Sequence, residues 1–183
     1  MSLAPGTHRF GPENGSLLVK TYREGMAAKV GHDLVIEVTA WEATVELPAD
    51  PAAASIRLAA DPRSLEVREG LGGLKPLTDK DRGEIRSTID AKVLRGSPIT
   101  FVSSSVRGGR GGEGPLVVDG DLTLAGQTRP VTAQLAMTDD GHVTGTIPVT
   151  QTAWGIKPYR GLMGALKVRD EVDIVIEGTL PQD

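Results

Sequence analysis

The 183-residue sequence contains no cysteine. Disulfides, thiolate nucleophiles and cysteine-ligated zinc or iron–sulfur sites are therefore excluded together. Aromatic residues are nearly as scarce, at 3%, so any interior this chain builds is aliphatic. No run approaches the roughly 18 consecutive apolar residues that a membrane-spanning helix needs. Residues 1–15 are polar, contain Gly and Pro, and hold no apolar stretch suited to a secretion signal, so a flexible N-terminal segment and a cytoplasmic location are expected. A basic excess is missing as well. The net charge is -4 and the pI near 5.4, which argues against general binding of a nucleic-acid backbone.

What is present is strand after strand of alternating residues. In residues 116–124 Leu116, Val118, Gly120, Leu122 and Leu124 share one parity, and Asp119, Asp121 and Thr123 the other. Val131, Ala133, Leu135 and Met137 repeat the pattern, as do Val172, Ile174, Ile176 and Leu180. Successive strand side chains point to opposite faces, so each run has one buried and one wet face, the signature of an antiparallel sheet. Residues 16–24 read as a first strand. Leu34, Ile36, Val38 and Ala40 form the next face, and Ala43, Val45 and Leu47 read as its hairpin partner. Ile56, Leu58 and Ala60 begin a fourth strand that residues 64–67 extend past Asp61-Pro62, and residues 99–106 resume the sheet.

Two segments break the pattern. Residues 25–31 are Ala-rich and end in Gly, which suits one helical turn with a glycine stop. A true helix is predicted to start at Thr78, where Thr78-x-x-Asp81 resembles a capping box and Ile85, Ile89 and Val93 supply an apolar stripe before Pro98. Pro48-Ala49-Asp50-Pro51 and the glycine-rich residues 108–114 read as turns. The whole is an all-β domain over residues 16–183, of eight or nine antiparallel strands and one helix. A sandwich and an up-and-down barrel both fit, and short hairpin connections favour the barrel. An eight-stranded barrel has an interior just large enough to be filled or to hold one small ligand.

No catalytic constellation emerges. His8, His32 and His142 are scattered, and His32 and Asp33, as strand neighbours, face opposite ways. His32 reads as a local hydrogen-bonding residue; a haem-binding or enzymatic barrel would need it to point into the cavity. Gly70-Leu71-Gly72-Gly73-Leu74-Lys75 lacks the ending and helix context of a phosphate loop. Arg107-Gly108-Gly109-Arg110 resembles an RGG segment without interleaved aromatics. Ser103, Ser104 and Ser105 have no nucleophile elbow around them. Trp154-Gly155-Ile156-Lys157-Pro158-Tyr159 concentrates two of the six aromatics in one loop. It reads as either an amphipathic lip or a plug closing the barrel end.

Pro98-Ile99-Thr100-Phe101-Val102-Ser103-Ser104 and Val118-Asp119-Gly120-Asp121-Leu122-Thr123-Leu124-Ala125-Gly126-Gln127-Thr128-Arg129-Pro130-Val131 closely resemble the YceI-like family's strands, P-x-[IT]-x-F-x-S and v-x-G-x-L-T-l-x-G-x-t-[KR]-x-V. Ser64-Leu65, Trp154-Gly155-Ile156 and Val168-x-Asp170-x-Val172-x-Ile174 are similar to further landmarks of that family. The resemblance, over residues 16–180, implies an extended eight-stranded antiparallel lipocalin-like barrel with one covering α-helix. Some members hold a polyisoprenoid chain, and many are periplasmic or secreted. Here Ile89-Asp90-Ala91-Lys92-Val93 stands where many members carry Phe-Phe-Asp, and Gly31-His32-Asp33-Leu34 looks like a cytoplasmic, actinobacterial-type, bacterial subgroup.

The expected function is non-catalytic binding or sequestration of a lipid-like molecule, a polyisoprenoid or another long aliphatic chain. The expected lining is Leu34, Ile36, Val38, Phe101, Leu122, Leu124, Val131, Leu135, Ile174 and Ile176, with Trp154 and Tyr159 at the entrance. No catalytic residue, metal or cofactor is expected. The expected partner is an apolar small molecule or lipid, without nucleic acid or stable membrane insertion; a homodimer is left open. The alternative is a filled barrel serving as a stress-related structural or protein-interaction module that presents residues 70–75 and 108–114.

Overall fold

The structure, a computed structural model, describes residues 5–50, 53–108, 114–138 and 140–180. Fourteen strands occur among them: β1 (Gly6–Phe10), β2 (Gly15–Thr21), β3 (Arg23–Glu24), β4 (Asp33–Val38), β5 (Trp41–Leu47), β6 (Ser55–Ala60), β7 (Leu65–Leu71), β8 (Ile99–Arg107), β9 (Leu116–Leu124), β10 (Gln127–Met137), β11 (His142–Thr150), β12 (Arg160–Gly161), β13 (Leu166–Val168) and β14 (Glu171–Thr179). One helix, α1 (Asp79–Thr88), interrupts them. Eleven strands form a single antiparallel sheet in the order β1-β5-β6-β8-β9-β10-β11-β14-β2-β4-β7, and β12-β13-β3 make a small second sheet. The larger sheet curls on itself, because every one of its eleven strands sends a side chain to one common cavity. The expected lipocalin-like, all-β antiparallel architecture is present, with eleven strands in place of eight.

The three additional strands have local causes. Residues 6–10 lie in the segment expected to be flexible, yet they pair with β5, from Gly6 opposite Leu47 to Phe10 opposite Ala43. Phe10 anchors them: it is buried, and its ring lies where a Cβ on Gly178 would stand, 2.8 Å from Cδ1. Residues 65–71 do not extend β6. The chain reverses at Asp61-Pro62, and β7 pairs with β4 instead. β11 carries Gly145 and Pro148, both of which weaken a strand pattern. Gly145 is needed there, because a Cβ would come within 2.3 Å of Leu135 Cδ2 on the paired strand.

The expected hairpin between β4 and β5 is not formed. Two-residue hairpins use primed turns, which demand positive φ and hence Gly, Asn or Asp. Thr39 and Ala40 offer none of these, and neither has positive φ. The chain turns a corner, and β4 joins β2 and β7 while β5 joins β1 and β6. Hydrogen bonds tie this corner to the β6–β7 turn: Thr39 N–H donates to Ser64 O and Asp61 N–H to Ala40 O, both at 2.9 Å. The outer strands β1 and β7 are not paired with each other, so the barrel keeps a seam here.

The alternation read from the sequence governs the faces. In β9, Val118, Gly120, Leu122 and Leu124 are buried while Asp121 is exposed. Outside, Asp119 accepts from Ser105 Oγ, Thr132 Oγ1 and the Arg107 guanidinium. These donors, Thr132 first, hold its carboxyl below the usual range. The predicted capping box at the helix start is complete. Thr78 Oγ1 accepts from Asp81 N–H (3.1 Å), and Asp81 Oδ2 accepts from Thr78 N–H (2.9 Å). A π-helical turn over Ile89–Leu94 follows, ending at Arg95 in the left-handed region. The predicted turn in residues 25–31 is a 3-10 turn, Ala28–Val30, closed by Gly31 N–H to Ala28 O. The central residues of the expected 108–114 loop, and Pro51 of the Pro48–Pro51 turn, lie outside the described residues.

Candidate binding cavity

The inner face encloses a cavity of about 820 Å3. Its strand-borne wall is aliphatic almost throughout: Leu17, Val19, Val45, Leu58, Val118, Ile147 and Val149 stand beside the lining expected from the sequence. Of the twelve expected residues, Leu34, Ile36, Val38, Phe101, Leu122, Leu124, Val131, Leu135, Ile174, Ile176 and Tyr159 all line it. Trp154 does not. It is buried among Leu122, Leu124, Val149, Ile156 and Val172, and its Nε1 donates to Leu122 O at 2.9 Å. The indole therefore anchors the 3-10 turn Gln151–Trp154 against β9, with Gly155 in the left-handed conformation behind it. Tyr159, 48% exposed, is left at the opening.

α1 and the π turn lie against the wall, with Ile85, Ile89, Val93 and Leu94 facing the cavity. The predicted stripe did not include Leu94. In the π turn, hydrogen bonds run from i to i+5, so the residue five after Ile89 also comes inward and is buried.

Polar groups gather at one end. Arg23, His32, Lys75, Asp81, Glu84 and Lys167 all border the cavity there. Arg23 Nη1 donates to Gly31 O (2.7 Å) and Leu71 O (3.0 Å), and Asp33 Oδ1 accepts from Arg23 N–H at 2.8 Å. His32 Nε2 lies 2.7 Å from Lys75 O. A carbonyl can only accept, so Nε2 carries the proton and pins the 72–77 loop; the partner lies 43 residues along the chain, in place of the local one expected. Beyond the rim, Tyr22 donates to Asp173 Oδ2 at 2.5 Å and lies under Arg169, 4.4 Å from ring to guanidinium. The hydrogen bond to Asp173 is the main reason the Tyr22 phenol is raised above its ordinary range. Ser103 and Ser105 take structural partners: Ser103 Oγ accepts from Ile56 N–H, and Ser105 Oγ donates to Asp119. Among the described residues, no three of His, Asp and Glu converge on a metal-sized site, and no helix is long and apolar enough to cross a membrane.

The sequence matches the YceI-like domain over residues 16–180. The chain belongs to the YceI-like family. Among curated proteins, none matches this sequence. Solved structures share the fold. BcnA of Burkholderia cenocepacia is similar at a TM-score of 0.63 and 20% identity, over 89% of this chain and 94% of that one. A polyisoprenoid binding domain from Saccharophagus degradans, implicated in plant cell wall breakdown, is similar at a TM-score of 0.53 and 9% identity, over 97% of this chain and 100% of that one.

In this YceI-like barrel, alternation alone led to most of the wall. Among the residues it did not indicate as lining, Val143, Ile147 and Val149 lie on β11, whose pattern Gly145 and Pro148 obscure, and others came from elements without period two: Ile85 and Ile89 on the helix, and Leu74, Pro76 and Leu77 in the loop after β7. The helix stripe was a usable signal for Ile85 and Ile89. The polar rim had none, because Arg23, His32, Lys75 and Asp81 are brought together by tertiary structure from separate segments.

Proposed function

We propose that this protein binds and sequesters a long aliphatic, lipid-like molecule inside its barrel without chemical conversion. The observation that carries the reading is the cavity of about 820 Å3, walled by apolar, mostly aliphatic side chains from all eleven strands of the sheet. That volume lies within the range of small-molecule sites and accommodates on the order of two dozen water-sized groups. It supports a carrier over a barrel filled by its own side chains. Each 100 Å2 of apolar ligand surface withdrawn from water contributes ~2.5 kcal/mol, from which the ordering of a flexible chain is subtracted. The polyisoprenoid binding domain of Saccharophagus degradans supports the same ligand class. The proposal includes a cytoplasmic location, which cell fractionation tests.

Ala133 is buried on the inner wall, while Gln134 beside it is exposed outside. Ala133→Phe places a ring in the cavity without opening the sheet. Titration with a fluorescent long-chain fatty acid is expected to show about tenfold or greater loss of affinity for Ala133→Phe, and none for Gln134→Phe. Equal affinities for both variants and the parent would refute binding in the cavity.

A further inference from the structure

Three segments are knit together around the cavity opening: residues 22–31, 71–77 and 155–169. β3, β12 and β13 join the first and third, with Lys167 opposite both Glu24 and Arg160. Ala27 N–H donates to Ala165 O at 2.9 Å. The second is tied in by Arg23 to Leu71 O and by His32 to Lys75 O.

Two properties are concentrated there. Among the described residues eight large hydrophobic side chains are exposed, and seven of them lie in these segments: Met26, Val30, Leu71, Leu74, Tyr159, Leu162 and Met163. The eighth, Val102, is on β8. The same segments hold seven lysines and arginines and a single acid, Glu24, although the whole chain carries a net charge of -4. Lys29, Lys75, Lys157 and Arg160 are exposed and make no ion pair among the described residues. The bordering acids are engaged: Asp33 holds the Arg23 backbone, Asp170 holds Thr152, Asp81 holds the Thr78 backbone in the helix cap, and Glu84 pairs with Lys80.

The tip of the third segment is strained as well as exposed. Leu162 (φ 48°) and Met163 (φ 57°) both occupy the left-handed region, which is unfavourable for side chains of this size, and Met163 is fully exposed. The backbone thus holds two apolar side chains out into solvent between Arg160 and Lys167.

We propose that this rim docks the protein on an anionic lipid bilayer, with Leu162, Met163, Leu74 and Met26 entering the interfacial region and the surrounding cations facing lipid phosphates. Contiguous exposed apolar groups ringed by cations are the physical signature of interfacial membrane binding. Docking there sets the cavity opening against the bilayer, so that an aliphatic chain passes between them without crossing water. This last step rests on the proposed lipid binding; the docking itself does not.

The test is flotation of the full-length protein with vesicles of phosphatidylcholine alone or mixed with phosphatidylglycerol, at low and high salt. Two double variants are compared with the parent: Leu162→Asn with Met163→Asn, and Lys157→Glu with Arg160→Glu. None of the four residues lines the cavity, and Asn tolerates the left-handed conformation. The parent is expected to float with the anionic vesicles and to be released by salt, and each double variant to bind roughly tenfold more weakly or worse. Unchanged fatty-acid affinity in both variants separates loss of docking from loss of the cavity. A parent that stays with the aqueous fraction, or variants that float as well as it does, would overturn membrane docking whatever the cavity binds.

Discussion

The Trp154 indole supports the barrel through one hydrogen bond to the Leu122 carbonyl of β9, a residue also paired with Arg129 in the sheet. Nε1–H and Leu122 O are both buried. Trp154→Phe retains an aromatic ring and loses this one hydrogen bond, so a loss of about 0.5–1.5 kcal/mol is expected. Trp154→Ala also opens a hole beneath Leu124 and Val149 and is expected to cost about 3–5 kcal/mol. Urea denaturation of the two variants measures both. A Phe variant as stable as the parent would show that the indole only fills space. Single residues were unevenly legible in the sequence. Side chains on strands, such as Ile36 or Leu122, have their face set by parity. Trp154 and Tyr159 share a loop without a period, and only the fold separates the anchor from the residue at the opening.

At the scale of elements, α1 lies against the cavity and rests on its capping box. Asp81 has its carboxyl held below the ordinary 3.8, chiefly by hydrogen bonds from the Thr78 backbone and hydroxyl. A depressed folded value means that this contribution is present in full above the unfolded pKa and lost as pH falls through the folded one. The helix is therefore expected to keep its cap from neutrality down to about pH 4 and to loosen below it. Thr78→Ala removes the cap at every pH, at roughly 0.5–2 kcal/mol. Hydrogen exchange of the α1 amides checks this: exchange should quicken in the variant at neutral pH, and acidification should quicken it less than in the parent. An α1 that exchanges equally in both would remove the cap from the account. Its start was readable from Thr78 and Asp81 because capping is local. Strand partners were not. Only two residues separate β4 from β5, yet Thr39 and Ala40 cannot form a primed turn, and β4 takes partners nearly the whole sheet away from those of β5. Similarly β1, with only Phe10 as a buried anchor, becomes a strand because β5 offers it an edge.

For the whole molecule, curling an eleven-stranded sheet with an aliphatic inner face leaves a volume that its own side chains do not fill. The helix covers part of this space, and a rim bearing cations and exposed apolar groups surrounds the opening. The sequence announced the aliphatic wall through its alternation and its scarcity of aromatics. It could not announce the empty volume, which depends on how tightly the sheet closes and on where the seam between β1 and β7 falls. That volume is the central claim. Native mass spectrometry of the purified protein, beside a denatured and solvent-extracted sample, tests it most directly. One long-chain apolar molecule of a few hundred daltons per protein chain is expected, either co-purified or taken up when a long-chain lipid is added. A bare polypeptide mass that persists after every such addition would contradict it.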